Sequence, residues 1–211
     1  MSSTPLFPTL TTYITACLAD FSHIPDERKA ILAQIAAFVQ TRVQANLPIS
    51  LIYICTHNSR RSHYGQIWGA TAAAYYDIPN VQTYSGGTEA TAFNERAVAA
   101  CQRAGFVITN TTPDAENPIY AVQFAENTPP LTAFSKKYDD ATNPQADFCA
   151  IMTCNSADAA CPTVFGATAR VSTTYEDPKA FDGQPEETHM YDARCRQIAT
   201  ENLYIFSLIN K

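Results

Sequence analysis

Leu51-Ile52-Tyr53-Ile54-Cys55-Thr56-His57-Asn58-Ser59-Arg60-Arg61-Ser62 is the stretch on which the reading of the chain turns. Its first part is an apolar run of strand length, consistent with a strand buried on both faces. The part after Cys55 is polar at every position, and residues 62 to 76 then suit a helix. A strand, a polar loop and a helix in that order make a turn whose backbone amides converge at the positive end of the helix. A tetrahedral oxyanion fits such a point, and the field there activates a thiol placed at its centre, the position of Cys55. Arg61 can return over the loop and grip two oxygens with its planar fork, and Ser62 can donate to the sulfur. Thr56, His57, Asn58, Ser59, Arg60 and Ser62 complete the cradle. Such a loop is too polar to be packing, so Cys55 reads as a nucleophile and not as an ordinary buried cysteine.

Outward from this stretch, strands and helices alternate. Val81 to Ser85 reads as a strand, Gly86-Gly87 as a turn, and residues 91 to 104 as a helix ended by Gly105. Phe106 to Ile108 and Ile119 to Phe124 are apolar runs, Phe148 to Thr153 is a buried strand, and Arg170 to Tyr175 alternates. A last helix spans about 186 to 209 and carries Met190, Ile198, Leu203, Ile205 and Ile209. The pattern predicts a doubly wound α/β domain with a parallel sheet, whose ligands bind beyond the carboxyl ends of the strands. Before it, residues 1–47 show two helical stripes: Leu10, Ile14, Cys17, Leu18 and Phe21, then Ile31, Leu32, Ile35, Phe38, Val39 and Val43. The division expected is therefore an N-terminal helical hairpin extension over 1–47 and a catalytic domain over 48–211. The hairpin packs either on the main domain or on a second subunit, which would make a homodimer.

Composition narrows the function classes. The 211 residues are 46% apolar and 16% charged, an ordinary globular balance. A formal charge of −6 argues against nucleic acid as the main partner. No apolar run is long enough to cross a bilayer, so no membrane partner is expected. The first residues, MSSTPLFPTLTTY, lack the basic start and apolar core of a secretory signal, so a cytoplasmic location is expected. The seven cysteines then sit in a reducing compartment, where a disulfide is more often transient and catalytic than structural. Cys149 reads as core within its strand, and Cys17, Cys101 and Cys195 as helix packing. No cysteine or histidine spacing suits zinc, so no metal and no cofactor are expected.

Cys55, five residues and Arg61-Ser62 resemble the signature of the low-molecular-weight tyrosine phosphatase superfamily, which includes the thioredoxin-coupled arsenate reductases. The resemblance continues through Tyr84-Ser-Gly-Gly-Thr-Glu-Ala-Thr-Ala-Phe-Asn94, Cys154, Cys161-Pro162 and Asp177-Pro178, across roughly residues 50 to 210. It implies a four-stranded parallel sheet of the phosphatase type. It also implies two candidate reactions. In phosphate-monoester hydrolysis Cys55 attacks phosphorus, Arg61 holds the transferring group and Asp177 protonates the leaving group. In arsenate reduction a three-thiol relay runs from Cys55 to Cys154 to Cys161, and thioredoxin reduces the final disulfide. Cys154 and Cys161, which hydrolysis does not need, make arsenate reduction the preferred expectation. A redox- or oxyanion-sensing module without turnover ranks last.

Departures from the pattern carry expectations of their own. Arg60 replaces a family cysteine and adds positive charge at the mouth. His57 replaces a glycine, at a cost of about a kcal/mol or more should the loop need positive φ there. Asn58 and Ser85 match a potassium site found in some of the reductases, but its acid is Gln66 here, so no potassium requirement is expected. His63 reads as an exposed first-turn residue and His189 as a surface residue of the last helix. Tyr75, Tyr76 and Tyr120 read as core or groove-lining side chains.

Overall fold

The computed structural model describes residues 5–161 and 163–211. Pro162, read above together with Cys161, lies outside them, as do the first four residues of the extension. Strand β1 (Ile49–Cys55) lies at the centre of a four-stranded sheet, with β2 (Val81–Gly87) on one side and β6 (Phe148–Met152) and then β7 (Ala167–Ser172) on the other. Every pairing in this sheet is parallel. The expected fold class is therefore the observed one.

The period-two alternation of β1 sorts its side chains between two cores. Leu51 and Tyr53, with Cys149, Ile151 and Val171 of the neighbouring strands, face a large core. That core is closed by α3 (Arg61–Tyr75), α4 (Glu95–Ala104) and α6 (Glu187–Ser207). Ile52 and Ile54 face the other way, into a smaller cluster with Ala150, Met152, Val164 and Ala157 of the short helix α5 (Asn155–Ala160). Cys55 and Cys154 belong to this second cluster.

The N-terminal segment forms α1 (Pro8–Ala19) and α2 (Asp26–Gln44). Leu10, Ile14, Cys17, Leu32, Ile35 and Val39 are buried in the same large core, so the helices lie on the main domain. Tyr13 stacks on Trp68 of α3 at 5.4 Å, and the Trp68 indole N–H donates to Cys195 Sγ at 3.2 Å. Arg196 ties α6 to this segment through Asp20 at 2.7 Å and the Ala16 carbonyl at 3.1 Å.

Three local expectations change. Gly86-Gly87 is no turn but the end of β2, in register with Ile54 and Cys55. A Cβ on Gly86 would fall 2.4 Å from Tyr138 Cα, and one on Gly87 2.2 Å from the Glu89 carbonyl. These glycines allow close backbone approach inside a strand. The helix expected from 91 begins at Glu95, because Asn94 Oδ1 accepts from the amides of Arg96 at 3.0 Å and Ala97 at 3.4 Å and caps it there. The runs near 106 and 119 do not join the parallel sheet. With β5 (Leu131–Ala133), β3 (Val107–Asn110) and β4 (Tyr120–Gln123) make a separate antiparallel sheet in the order β3-β4-β5. Residues 111 to 119 are too few for a parallel crossover, which takes about a dozen or more.

Helix α3 lies against β1 through glycine. A Cβ on Gly65 would come 2.2 Å from Tyr53 Cδ1, and Tyr53 cannot swing away because its hydroxyl donates to Asn202 Oδ1. Alanine favours a helix over glycine by about 1 kcal/mol, whereas overpacking costs about 1–3 kcal/mol. The clash wins: Gly65→Ala is expected to lower the urea midpoint, and a raised midpoint would show that Tyr53 yields.

Candidate active site at the end of strand β1

Cys55 ends β1, and the loop of residues 56–60 carries the chain over it into α3. Four carbonyls, those of Cys55, Thr56, His57 and Ser59, are engaged from outside the loop. Cys55 and Thr56 accept from the amides of Thr88 at 3.1 Å and Glu89 at 2.8 Å, and Ser59 from Asn94 at 2.9 Å. The His57 carbonyl accepts from the hydroxyls of Ser135 at 3.0 Å and Thr91 at 3.1 Å. Among the described residues, the amides of Thr56 to Ser62 make no hydrogen bond. A loop with these carbonyls engaged elsewhere and its amides unpaired, running into the start of a helix, has the donors with which an anion can be held. The Cys55 sulfur lies 3.1 Å from Ser62 Oγ, within hydrogen-bond distance.

The conformational cost of the loop falls on Asn58, not on His57. Asn58 has φ 44°, in the left-handed region that asparagine tolerates best among residues with a side chain. Its fully buried amide locks the turn, Nδ2 donating to Ser62 Oγ at 2.8 Å and Oδ1 accepting from the Lys136 amide at 2.8 Å. His57 instead sits half-exposed at the rim, with Nε2 3.6 Å from Glu89.

Arg61 returns over the loop. Its Nη2 donates to Asp177 Oδ2 at 2.6 Å and its Nη1 to the Tyr175 carbonyl at 2.9 Å. Its Nε is buried without a partner. Cys55, His57, Ser59, Arg60, Arg61 and Asp177 line one small depression. Asp177 precedes Pro178 and caps a single 3-10 turn, Oδ1 accepting from the Lys179 amide at 3.1 Å. Arg60 is buried instead of standing free at the mouth. Its Nε donates to the Tyr191 hydroxyl at 2.8 Å, and that hydroxyl donates on to Asp182 at 2.8 Å. Its charge is thus met by Asp182 and Asp177, 3.8 Å and 3.9 Å away.

Cys154 follows β6 as Cys55 ends β1, and these strands are neighbours. Its sulfur lies 3.4 Å from Thr56 Oγ1 and accepts from the Ala157 amide at 3.4 Å, capping α5. Cys161 closes that helix and is partly exposed. Burial raises its thiol pKa, with Arg170 pulling the other way. A cleft of about 400 Å³ beside the loop is lined by Arg61, Cys154, Asp177, Tyr175, Phe181 and Arg194, among others. The remaining cysteines are buried; burial pushes Cys149 up to about 12 and Cys17 to about 11, so neither is a nucleophile at neutral pH.

Sequence reasoning missed Tyr175, Tyr191, Asp182 and Lys136, which reach the loop from distant segments and carry no local signal. His63 is corrected outright. It is fully buried, stacked on Phe93 at 4.0 Å and held by Ser85 Oγ at 3.2 Å, because α3 turns that face to the sheet and not to solvent. Gln66, on the same helix, donates to the Thr132 carbonyl at 3.2 Å. Tyr120 packs edge-on against Phe93, Tyr75 against Tyr76, and His189 is exposed, as expected.

Burial lowers the His63 pKa to about 3, with the nearby Lys136 charge adding to it. The folded state thus releases a proton that the unfolded chain, near 6.5, still holds. The stability this confers is complete above about pH 6.5 and is lost as pH falls toward 3, by up to about 1.4 kcal/mol per unit. Urea unfolding across this range is expected to show a slope one proton smaller in His63→Gln than in the wild type. Parallel curves would mean that His63 titrates normally.

No protein-family profile matches the sequence, and no curated protein matches it. Solved structures match the fold. A YwlE mutant from Bacillus subtilis is 12% identical, aligns over 75% of this chain and 97% of its own, and gives a TM-score of 0.51. A low-molecular-weight protein tyrosine phosphatase from T. tengcongensis is 12% identical over 75% of this chain and 98% of its own, with a TM-score of 0.50. An arsenate reductase in the phosphate-binding state is 16% identical over 77% and 99%, with a TM-score of 0.49. Likeness at these identities is likeness of fold: the chain has the fold of the low-molecular-weight tyrosine phosphatase superfamily.

Proposed function

We propose that the protein reduces arsenate to arsenite through Cys55, Cys154 and Cys161. The observation that carries this reading is the second thiol at the site, Cys154, packed against the first residue of the Cys55 loop. Cys55 thiolate attacks arsenic, an As–S bond forms and a hydroxide leaves, while Arg61 and the loop amides hold the oxyanion charge. Cys154 thiolate then attacks Cys55 sulfur. The new S–S bond takes the place of the As–S bond, whose electron pair stays on arsenic, so As(V) leaves as arsenite. Cys161 thiolate attacks Cys154 in turn, Cys55 departs as thiolate, and a Cys154–Cys161 disulfide remains for a dithiol reductant of the thioredoxin type.

The last step requires α5 to open. Seven helical residues advance about 10 Å, and a disulfide spans at most about 7 Å between Cα atoms. The helix is a single short piece held by buried Ala157, by Arg170, which donates to the carbonyls of Asp158 at 2.8 Å and Cys161 at 3.1 Å and to the Asp158 carboxylate at 2.6 Å, and by the Ser172 hydroxyl on that carboxylate. Contacts this few suit a segment that unwinds.

A second reading, hydrolysis of phosphate monoesters, draws support from Asp177. Its carboxylate lies on Arg61 at the loop, where a general acid would stand, and the adjoining cleft has room for a leaving group. A coupled assay separates the two. With arsenate, thioredoxin and thioredoxin reductase, NADPH oxidation is expected in the wild type. It should vanish in Cys154→Ser and Cys161→Ser, while any aryl phosphate hydrolysis persists in both. No arsenate turnover, with aryl phosphate hydrolysis indifferent to Cys154 and lost in Asp177→Asn, would establish the phosphatase instead.

A further inference from the structure

Thr173 to Asp177, the irregular segment after β7, supplies both groups that hold Arg61: the Tyr175 carbonyl and the Asp177 carboxylate. Its hold on the sheet is slight, with the amides of Thr173 and Tyr175 donating to the carbonyls of Met152 at 2.9 Å and Thr153 at 3.1 Å. Helix α6 adds Arg194, 3.7 Å from Glu176, and the N-terminal helices add a further hold. Arg28, in the first turns of α2, donates through Nη2 to the Thr173 carbonyl at 2.7 Å. The same guanidinium grips Glu201 of α6, with Nε 3.0 and 3.1 Å from its two oxygens and Nη2 at 2.8 Å. It also lies over the Tyr175 ring, 4.8 Å from the centroid. The Tyr175 hydroxyl donates to Glu201 at 2.7 Å and closes the circuit. Glu201 is buried, and among the described residues Arg28 is the one cation paired with it.

We propose that Arg28 is a positioning residue for the oxyanion site, acting through Tyr175 on Arg61. The inference rests on reading the Cys55 loop as an oxyanion site. Removing the guanidinium leaves a buried carboxylate unpaired and takes from the segment its hold at Thr173 and its cover over Tyr175. The Tyr175 carbonyl then no longer fixes Nη1, and Arg61 loses the orientation that presents its fork to an anion. The N-terminal helices thereby become part of the machinery of the site.

A second tie between the N-terminal segment and α6, Arg196 with Asp20 and the Ala16 carbonyl, provides the control, since it makes no hydrogen bond to Thr173, Tyr175 or Glu201. Binding of inorganic phosphate and of sulfate, tetrahedral oxyanions that thiols do not reduce, to the reduced full chain is measured by calorimetry, with thermal unfolding alongside. Arg28→Gln is expected to weaken both anions by roughly tenfold. Arg28→Lys, which keeps the charge and lacks the fork, should recover part of the loss. Arg196→Gln is expected to lower Tm and leave affinity unchanged. Tyr175→Phe, which lacks only the hydroxyl on Glu201, should weaken binding by roughly threefold and decides the matter should Arg28→Gln fail to fold. Wild-type affinity in Arg28→Gln or, failing that, in Tyr175→Phe would overturn the proposal. So would an equal loss in Arg196→Gln, which would reduce Arg28 to a stabilising contact. A wild type that binds neither anion would remove the oxyanion reading itself, and the inference with it.

Discussion

The site depends on one constraint: the loop after Cys55 keeps its carbonyls turned away from the sulfur. Each carbonyl satisfied from outside leaves the peptide amides free to face inward, and unpaired amides at a helix start attract an anion. The partners that enforce this are far apart in sequence. Thr88 and Glu89 follow β2, Asn94 caps α4, and Ser135 and Lys136 follow β5. The parallel register explains why they can reach. β1 and β2 end together at Cys55 and Gly87, so the loop after one strand lies beside the loop after the other. Gly87 has no side chain because the carbonyls of Thr56 and Glu89 occupy the space that a Cβ would need.

The second constraint is charge. Two arginines adjoin in the Cys55 loop, and they are handled differently. Arg60 is buried against Tyr191 and Asp182, which fastens the loop to α6 and the segment after Asp177. Arg61 stays over the depression, with Asp177 on one amino group and an unpaired Nε. A carboxylate partner is displaceable by a doubly charged oxyanion offering the same bidentate geometry. In the proposed function Asp177 holds the arginine in place until an anion takes its position.

Much of this was legible in the sequence, for local reasons. The apolar run into Cys55 and the polar run out of it define a strand, a loop and a helix without outside information, and Cys55, Arg61 and Ser62 converge as their spacing implied. The parallel sheet was legible from alternation alone. Three things were not. Gly86 and Gly87 look like a turn because glycine usually marks one, whereas here they relieve a close approach visible only in three dimensions. His63 looks exposed because polar residues usually are, but the face of α3 next to the loop is packed on β2 and Phe93. Arg28 and Glu201 lie at opposite ends of the chain, and no pattern along it announces that they meet.

The N-terminal helices share the main core and carry two buried or half-buried arginine ties to α6. In this chain the fold shared with the phosphatases is thus extended by a support whose polar contacts run to within one residue of Arg61. On the opposite face of the sheet, α5 separates Cys154 from Cys161 and rests on a small second core. Under the proposed relay, the buried Cys154 stays beside the Cys55 loop while the unwinding of α5 brings the partly exposed Cys161 to it.

The most direct test is chemical trapping. Cys161→Ser protein, fully reduced and then given arsenate with no other thiol, should stop after the second step. Alkylation of the remaining thiols followed by peptide mass mapping is expected to find Cys55 and Cys154 joined, with one arsenite released per disulfide. Cys55 and Cys154 both alkylated, with arsenate unconsumed, would contradict the relay at its first bond.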